Sequence, residues 1–160
     1  MPINAYVDKI SSLIKLNNFR IATAESCTGG LIAHTLTNIS GSSDYFDRGV
    51  VSYSNKAKIE LLKVPKDIID KYGAVSREVA EAMAMGIRQT SNVDIGISST
   101  GIAGPTGGTK DKPVGLVYIG LSTKEKTIAK KFQLSGSRIE NKNSTCNSAL
   151  KMLLEYLETL

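Results

Sequence analysis

The chain has 160 residues, 41% hydrophobic and 22% charged, which fits one globular domain with a core of its own and argues against disorder. Twenty basic and 15 acidic residues leave a formal charge of +5, but the lysines are scattered rather than clustered. With aromatics at 6% and no Trp, a stacking platform for nucleic acid is disfavoured.

The first element expected is a helix: Ile3, Val7, Ile10 and Ile14 share one face, and Asn17-Asn18 ends it. A strand follows at about residues 20 to 25. Leu31, Ile32, Leu36 and Ile39 then mark a second helix, broken at Ser40-Gly41-Ser42-Ser43. Residues 48 to 54 are rich in β-formers and read as a strand, with Asn55 as the candidate cap of a short helix that stops before Pro65. Ile68 and Ile69 suggest another helical turn, stopped near Tyr72-Gly73. Ser76 caps the next helix, whose inner face is Val79, Met83, Gly86 and Ile87.

An apolar strand at 94 to 100 leads into a glycine-rich loop, Gly101 to Gly108. Residues 114 to 121 and 127 to 132 read as a hairpin joined at Thr123-Lys124-Glu125-Lys126. The last helix carries Leu150, Leu153, Leu154 and Leu157 on one face. Alternating helix and strand, with a strand pair late, predicts an α/β fold. We expect a three-layer α/β/α sandwich around a mixed, mostly parallel sheet of about five strands. No repeat, low-complexity tract or linker divides the chain, so residues 1 to 160 are expected to form a single domain.

Cys27 and Cys146 lie outside any C-x-x-C pair, which offers neither a zinc site nor a disulfide framework. The first residues lack a basic leader followed by an apolar core, and no apolar run is long enough to cross a membrane. A cytoplasmic protein is expected.

The stretch Thr23-Ala24-Glu25-Ser26-Cys27-Thr28-Gly29-Gly30 reads as a turn from a buried strand into a helix. Ser26 is either a nucleophile or a cap for that helix. A hydroxyl nucleophile needs a base. The only histidine, His34, stands two helical turns away, on the order of 10 Å, so a Ser-His-Asp triad is disfavoured. Lys58 is the alternative: it follows a strand whose end shares the sheet edge with Ser26, and burial would let it stay neutral. Tyr53 could relay a proton or orient that lysine. Cys27 is a second candidate nucleophile, without a partner base.

The loop Thr100-Gly101-Ile102-Ala103-Gly104-Pro105-Thr106-Gly107-Gly108-Thr109 holds four glycines in eight positions after a buried strand, so its backbone can approach a ligand closely. It fits neither the Walker spacing nor the dinucleotide fingerprint. With Lys110 and Lys112 beside it, it suits a phosphate, a carboxylate or an oxyanion.

Taken together, Thr23 to Gly30, Gly49-Val50-Val51-Ser52-Tyr53-Ser54-Asn55-Lys56-Ala57-Lys58, Gly73-Ala74-Val75-Ser76, Thr100 to Pro105 and Lys112-Pro113-Val114-Gly115 occur in the order of one family. From about Ile3 to Leu157 the chain resembles the CinA C-terminal domain family, the nicotinamide-nucleotide amidases. The resemblance implies a three-layer α/β/α fold. It implies hydrolysis of nicotinamide mononucleotide to nicotinic acid mononucleotide and ammonia, without metal or cofactor. The family's serine, tyrosine and lysine fall on Ser26, Tyr53 and Lys58.

Substrate contacts are expected from Thr28, Gly29, Gly30 and Asn55, from Thr100, Gly101, Gly104, Gly107 and Gly108, and from Arg138. The expected partner is the small-molecule substrate, with no membrane and with nucleic acid disfavoured. A homodimer or larger homo-oligomer is expected, as is the stand-alone form without the extra N-terminal domain of many relatives. The chain departs from the family at Ser137 and Lys142, where an Asp and an Arg are usual, which bears on activity or substrate preference. The competing expectation is a non-catalytic ligand- or partner-binding module connected with competence or DNA damage.

Overall fold

The computed structural model describes residues 2 to 160. The chain opens with α1 (Ile3–Leu16), β1 (Ile21–Glu25) and the short α2 (Leu31–Leu36). A 3-10 turn (Ser42–Asp44) leads to β2 (Phe46–Val51), α3 (Asn55–Leu62), α4 (Lys66–Tyr72) and α5 (Arg77–Ser91). Then come β3 (Ile95–Gly101), β4 (Leu116–Ser122), β5 (Thr127–Gln133) and α6 (Arg138–Leu157). The expected three-layer α/β/α sandwich is present, around one five-stranded sheet in the order β2-β1-β3-β4-β5. The first three strands in that order are parallel, and β4 and β5 run antiparallel as the expected hairpin.

Alternation along β1 sorts the two cores. Ile21 faces the layer of α1, α2 and α6, where it joins Ile10, Ile14, Leu150 and Leu153. Ala22 and Ala24 face the other layer and meet Val79, Met83 and Ile87 of α5. The small side chains on that second face let α5 lie close to the sheet, where Ser98 Oγ donates to the Ala80 carbonyl at 2.6 Å. Both long C-terminal helices are capped by the residues at their starts. Ser76 Oγ accepts from Val79 N–H at 3.2 Å, and Ser137 and Glu140 form a capping box on α6. Ser137 therefore serves as the N-cap of α6.

Three differences from the sequence reading lie close to the first two strand ends and the helices that follow them. β2 spans Phe46–Val51 rather than 48 to 54, because the chain turns out of the sheet at Ser52. Ser54, not Asn55, caps α3, its Oγ accepting from Ala57 N–H at 3.0 Å. α2 stops at Leu36 rather than reaching Ile39; the Thr37 hydroxyl takes up the Ala33 and His34 carbonyls there.

Gly86 marks the tightest helix contact. A Cβ there would sit 1.9 Å from the Leu62 carbonyl oxygen at the end of α3. Ala would gain about 1 kcal/mol of helix propensity, while forcing backbone apart in a packed core costs about 1–3 kcal/mol or more. The clash wins, so Gly86→Ala is expected to lower stability by about 1–2 kcal/mol, read as a lower urea midpoint. An unchanged midpoint would mean that α3 yields at no cost.

Candidate active site

β1 lies inside the sheet, so its carboxyl end delivers the next residue to the middle of one edge. Ser26 N–H still donates to the Ser99 carbonyl at 3.0 Å, which holds the residue against β3. The turn then closes through Gly29 at φ 60° and Gly30 at φ 100°, a left-handed pair suited to glycine. Gly30 is the N-cap of α2 and supplies no side-chain acceptor.

The cap reading of Ser26 is overturned. The acceptor for the first turn of α2 is the carboxyl group of Glu25, which takes Ile32 N–H at 2.8 Å and Ala33 N–H at 3.0 Å. That leaves the Ser26 hydroxyl free to meet Lys58, whose Nζ is 3.2 Å away.

Lys58 comes from α3, which starts just beyond the end of β2. Its Nζ also donates to the carbonyls of Ser52 at 3.0 Å and Tyr53 at 3.4 Å. The lysine is 2% exposed and forms no ion pair among the described residues. Burial holds its amine below the ordinary lysine value of 10.5, weakly opposed by the neighbouring Cys27 thiol. Cys27 is itself buried, and burial pushes its thiol up to about 11. A thiol so rarely ionised near neutral pH is a poor nucleophile.

A cavity of about 200 Å³ opens on this pair. Asn55, Tyr53, Thr100, Gly101 and Arg138 help to line it. The Tyr53 hydroxyl makes no hydrogen bond to Lys58 or Ser26. It accepts from Arg138 Nη2 at 3.0 Å, while Arg138 Nη1 donates to the Gly104 carbonyl at 2.8 Å. Arg138 pairs with no carboxylate among the described residues.

Thr28, Gly29 and Gly30 do not line this cavity. They border a neighbouring one of about 390 Å³ with His34, Ile139 and Lys142. The Thr28 hydroxyl is spent inside the protein, donating to Glu25 Oε1 at 2.5 Å and bonding Ser99 Oγ at 2.7 Å. Gly107 and Gly108 do not reach the cavity wall, and Lys112 folds back to donate from Nζ to the Tyr72 carbonyl.

Two residues passed over in the sequence matter here. Glu25 grips α2 from the strand end. Asn141, 2% exposed, donates from Nδ2 to the carbonyls of Ala103 and Gly136 at 3.0 Å each and fixes the first turn of α6 against the glycine-rich loop. A signal for Glu25 was available: an acidic residue closing an otherwise apolar strand, before a helix whose own cap is glycine.

The profile of the CinA C-terminal domain matches residues 3 to 157. The chain belongs to the CinA C-terminal domain family. It is 50% identical over 148 residues to a CinA-like protein of Kosmotoga olearia, a match covering 92% of this chain and 36% of that relative. It is 51% identical over 148 residues to a Thermoanaerobacter pseudethanolicus protein named for competence damage, again covering 36% of the relative. The chain thus spans about a third of the length of the curated relatives it matches.

Among solved CinA-type structures, the competence/damage inducible protein CihA from Agrobacterium tumefaciens superposes with a TM-score of 0.94 at 39% identity, over 98% of this chain and 95% of that one. A CinA superfamily protein from Klebsiella pneumoniae gives 0.95 at 27% identity, over the whole of both chains. No described helix is long and apolar enough to cross a membrane.

Proposed function

We propose that this CinA domain hydrolyses the carboxamide of nicotinamide mononucleotide, releasing ammonia and nicotinic acid mononucleotide, with Ser26 as nucleophile and Lys58 as its base. The observation that carries the reading is the contact between Ser26 Oγ and a buried lysine amine with no acidic partner. A neutral amine has two N–H groups and one lone pair. The carbonyls of Ser52 and Tyr53 take the two N–H groups, and the lone pair is left for the Ser26 hydroxyl.

Lys58 removes the hydroxyl proton as Ser26 Oγ attacks the carboxamide carbon. The oxyanion meets backbone N–H groups of the turn after Ser26. Lys58 returns the proton to the departing nitrogen, and the carbon–nitrogen bond breaks. Ammonia leaves and an ester on Ser26 remains. Lys58 next takes a proton from water, which attacks the ester carbon; the same proton goes back to Ser26 as the acid departs.

The 200 Å³ cavity suits the amide-bearing ring, with ribose and phosphate toward the mouth, where Arg138 lacks a carboxylate partner and Asn55 stands nearby. Tyr53 holds Arg138 rather than relaying the proton. Two free buried thiols, Cys27 and Cys146, fit work in a reducing cytoplasm.

The test is ammonia release from nicotinamide mononucleotide, with nicotinamide riboside and simple amides as comparisons. A folded chain that releases no ammonia from any of them would overturn the reading. The pH profile has a defined sign. A protonated lysine cannot accept the serine proton, so kcat/KM falls as pH falls through the Lys58 value. Burial lowers that value, so the midpoint of the rising limb is expected below 10.5. A midpoint at or above the ordinary lysine value would remove Lys58 as the base.

A further inference from the structure

Glu25 is the most deeply buried acid of the site and has no role in the chemistry above. It is 1% exposed, and among the described residues no Lys, Arg or His pairs with it. Burying a carboxyl group without a cationic partner is costly unless hydrogen bonds satisfy it. Three donors do so here: Thr28 Oγ1 and Ile32 N–H on one oxygen, Ala33 N–H on the other. A plain helix cap needs less. Elsewhere in this chain a serine at the helix start supplies the acceptor, as Ser54, Ser76 and Ser137 do, whereas Gly30 at φ 100° supplies none. Instead the acceptor comes from the strand end, so that one side chain spans the whole turn that carries Ser26.

We propose that Glu25 is a positioning residue for the nucleophile, acting through Thr28. Glu25 clamps the far end of the turn, at Ile32 and Ala33, to the strand end where the turn begins. Thr28 Oγ1 sits between Glu25 Oε1 and Ser99 Oγ, so the middle of the turn is fastened both to β1 and to β3. Ser26 lies between two fastened points, one on either side. Among the described residues its one side-chain partner is Lys58, which arrives from α3 across the sheet edge and bonds the turn through Ser26 alone. The network therefore fixes the nucleophile's side of the 3.2 Å contact, while the carbonyls of Ser52 and Tyr53 fix the base's side.

The proposal rests on Ser26 being the nucleophile, and its test does not depend on which amide is the substrate. A fluorophosphonate probe reports on the serine directly: an Oγ–phosphorus bond forms, the phosphorus–fluorine bond breaks, fluoride leaves and the hydroxyl proton passes to Lys58. Labelling rates are measured per folded molecule on the whole chain. Glu25→Gln keeps the shape but aims an NH2 group at one of the donors. Thr28→Val removes only the hydroxyl, and Thr28→Ser keeps it.

A small misplacement of a reacting group costs up to about a hundredfold, so Glu25→Gln and Thr28→Val are expected to label about tenfold or more slowly. Thr28→Ser is expected to stay close to the unaltered protein. KM for nicotinamide mononucleotide should hold while kcat falls. Unaltered labelling in folded Glu25→Gln, or in Thr28→Val, overturns the proposal, and so does a Thr28→Ser as slow as Thr28→Val. If Glu25→Gln does not fold, the two Thr28 variants decide. An unaltered chain that takes the probe but hydrolyses no nicotinamide mononucleotide overturns the substrate, with the probe rates still judging Glu25. An unaltered chain that refuses the probe overturns both.

Discussion

Ser26→Ala is expected to bring hydrolysis of nicotinamide mononucleotide to background, a loss on the order of 10^4 to 10^6 in kcat. The change removes one oxygen from a residue that is 8% exposed and whose hydroxyl has, among the described residues, a single partner, Lys58 Nζ. The lost hydrogen bond is worth about 1 kcal/mol, so the variant should fold and bind substrate nearly as before. Binding by calorimetry and ammonia release measured side by side separate the two effects. Substantial turnover by the folded variant would exclude Ser26 as nucleophile and return attention to Cys27, despite its raised thiol.

Lys58→Met is expected to cost about 10^2 to 10^4 in kcat, the usual worth of a positioned base. Its effect on stability should be small because two terms oppose. Removing a buried amine relieves a desolvation penalty of several kcal/mol. The carbonyls of Ser52 and Tyr53 then lose a donor, at about 1–3 kcal/mol each. Methionine fills a similar volume, so the thermal midpoint should stay within a few degrees of the unaltered protein. An inactive variant with an unchanged midpoint assigns Lys58 to the chemistry. Near-full activity would show that Ser26 draws its base from elsewhere.

Much of this arrangement was legible in the residues. The periodicity of α1, α5 and α6 is unambiguous, and the lone His34 already directs the search for a base toward lysine. What the sequence misread follows from how a strand end turns. With β2 ending at Val51, Tyr53 lies beyond the sheet. Its carbonyl, not its hydroxyl, meets Lys58, while the hydroxyl reaches Arg138, 85 positions away.

Glu25 escaped notice for a related reason. Capping signals are sought within three residues of a helix start, and this carboxyl group reaches seven and eight positions ahead. Glycine density in the 101 to 108 loop suggested ligand contact along its whole length. In the structure the first part meets the cavity, and Gly108 packs where a Cβ would lie 2.7 Å from Val114 N. Close backbone packing and close ligand approach call for the same residue, and sequence alone does not separate them.

The docking of α6 has a consequence for the chain during its synthesis. Ser26 and Lys58 are made before α6, the element that brings Arg138 and the Asn141 bonds to Ala103 and Gly136. Until α6 arrives, Ile97, Val117 and Ile119 of the sheet lack the leucines that cover them. The serine and the lysine therefore precede, on the ribosome, the arginine that completes the cavity. Before α6 docks, the serine and the lysine are present without a finished cavity, and the cavity is completed at the moment the core closes.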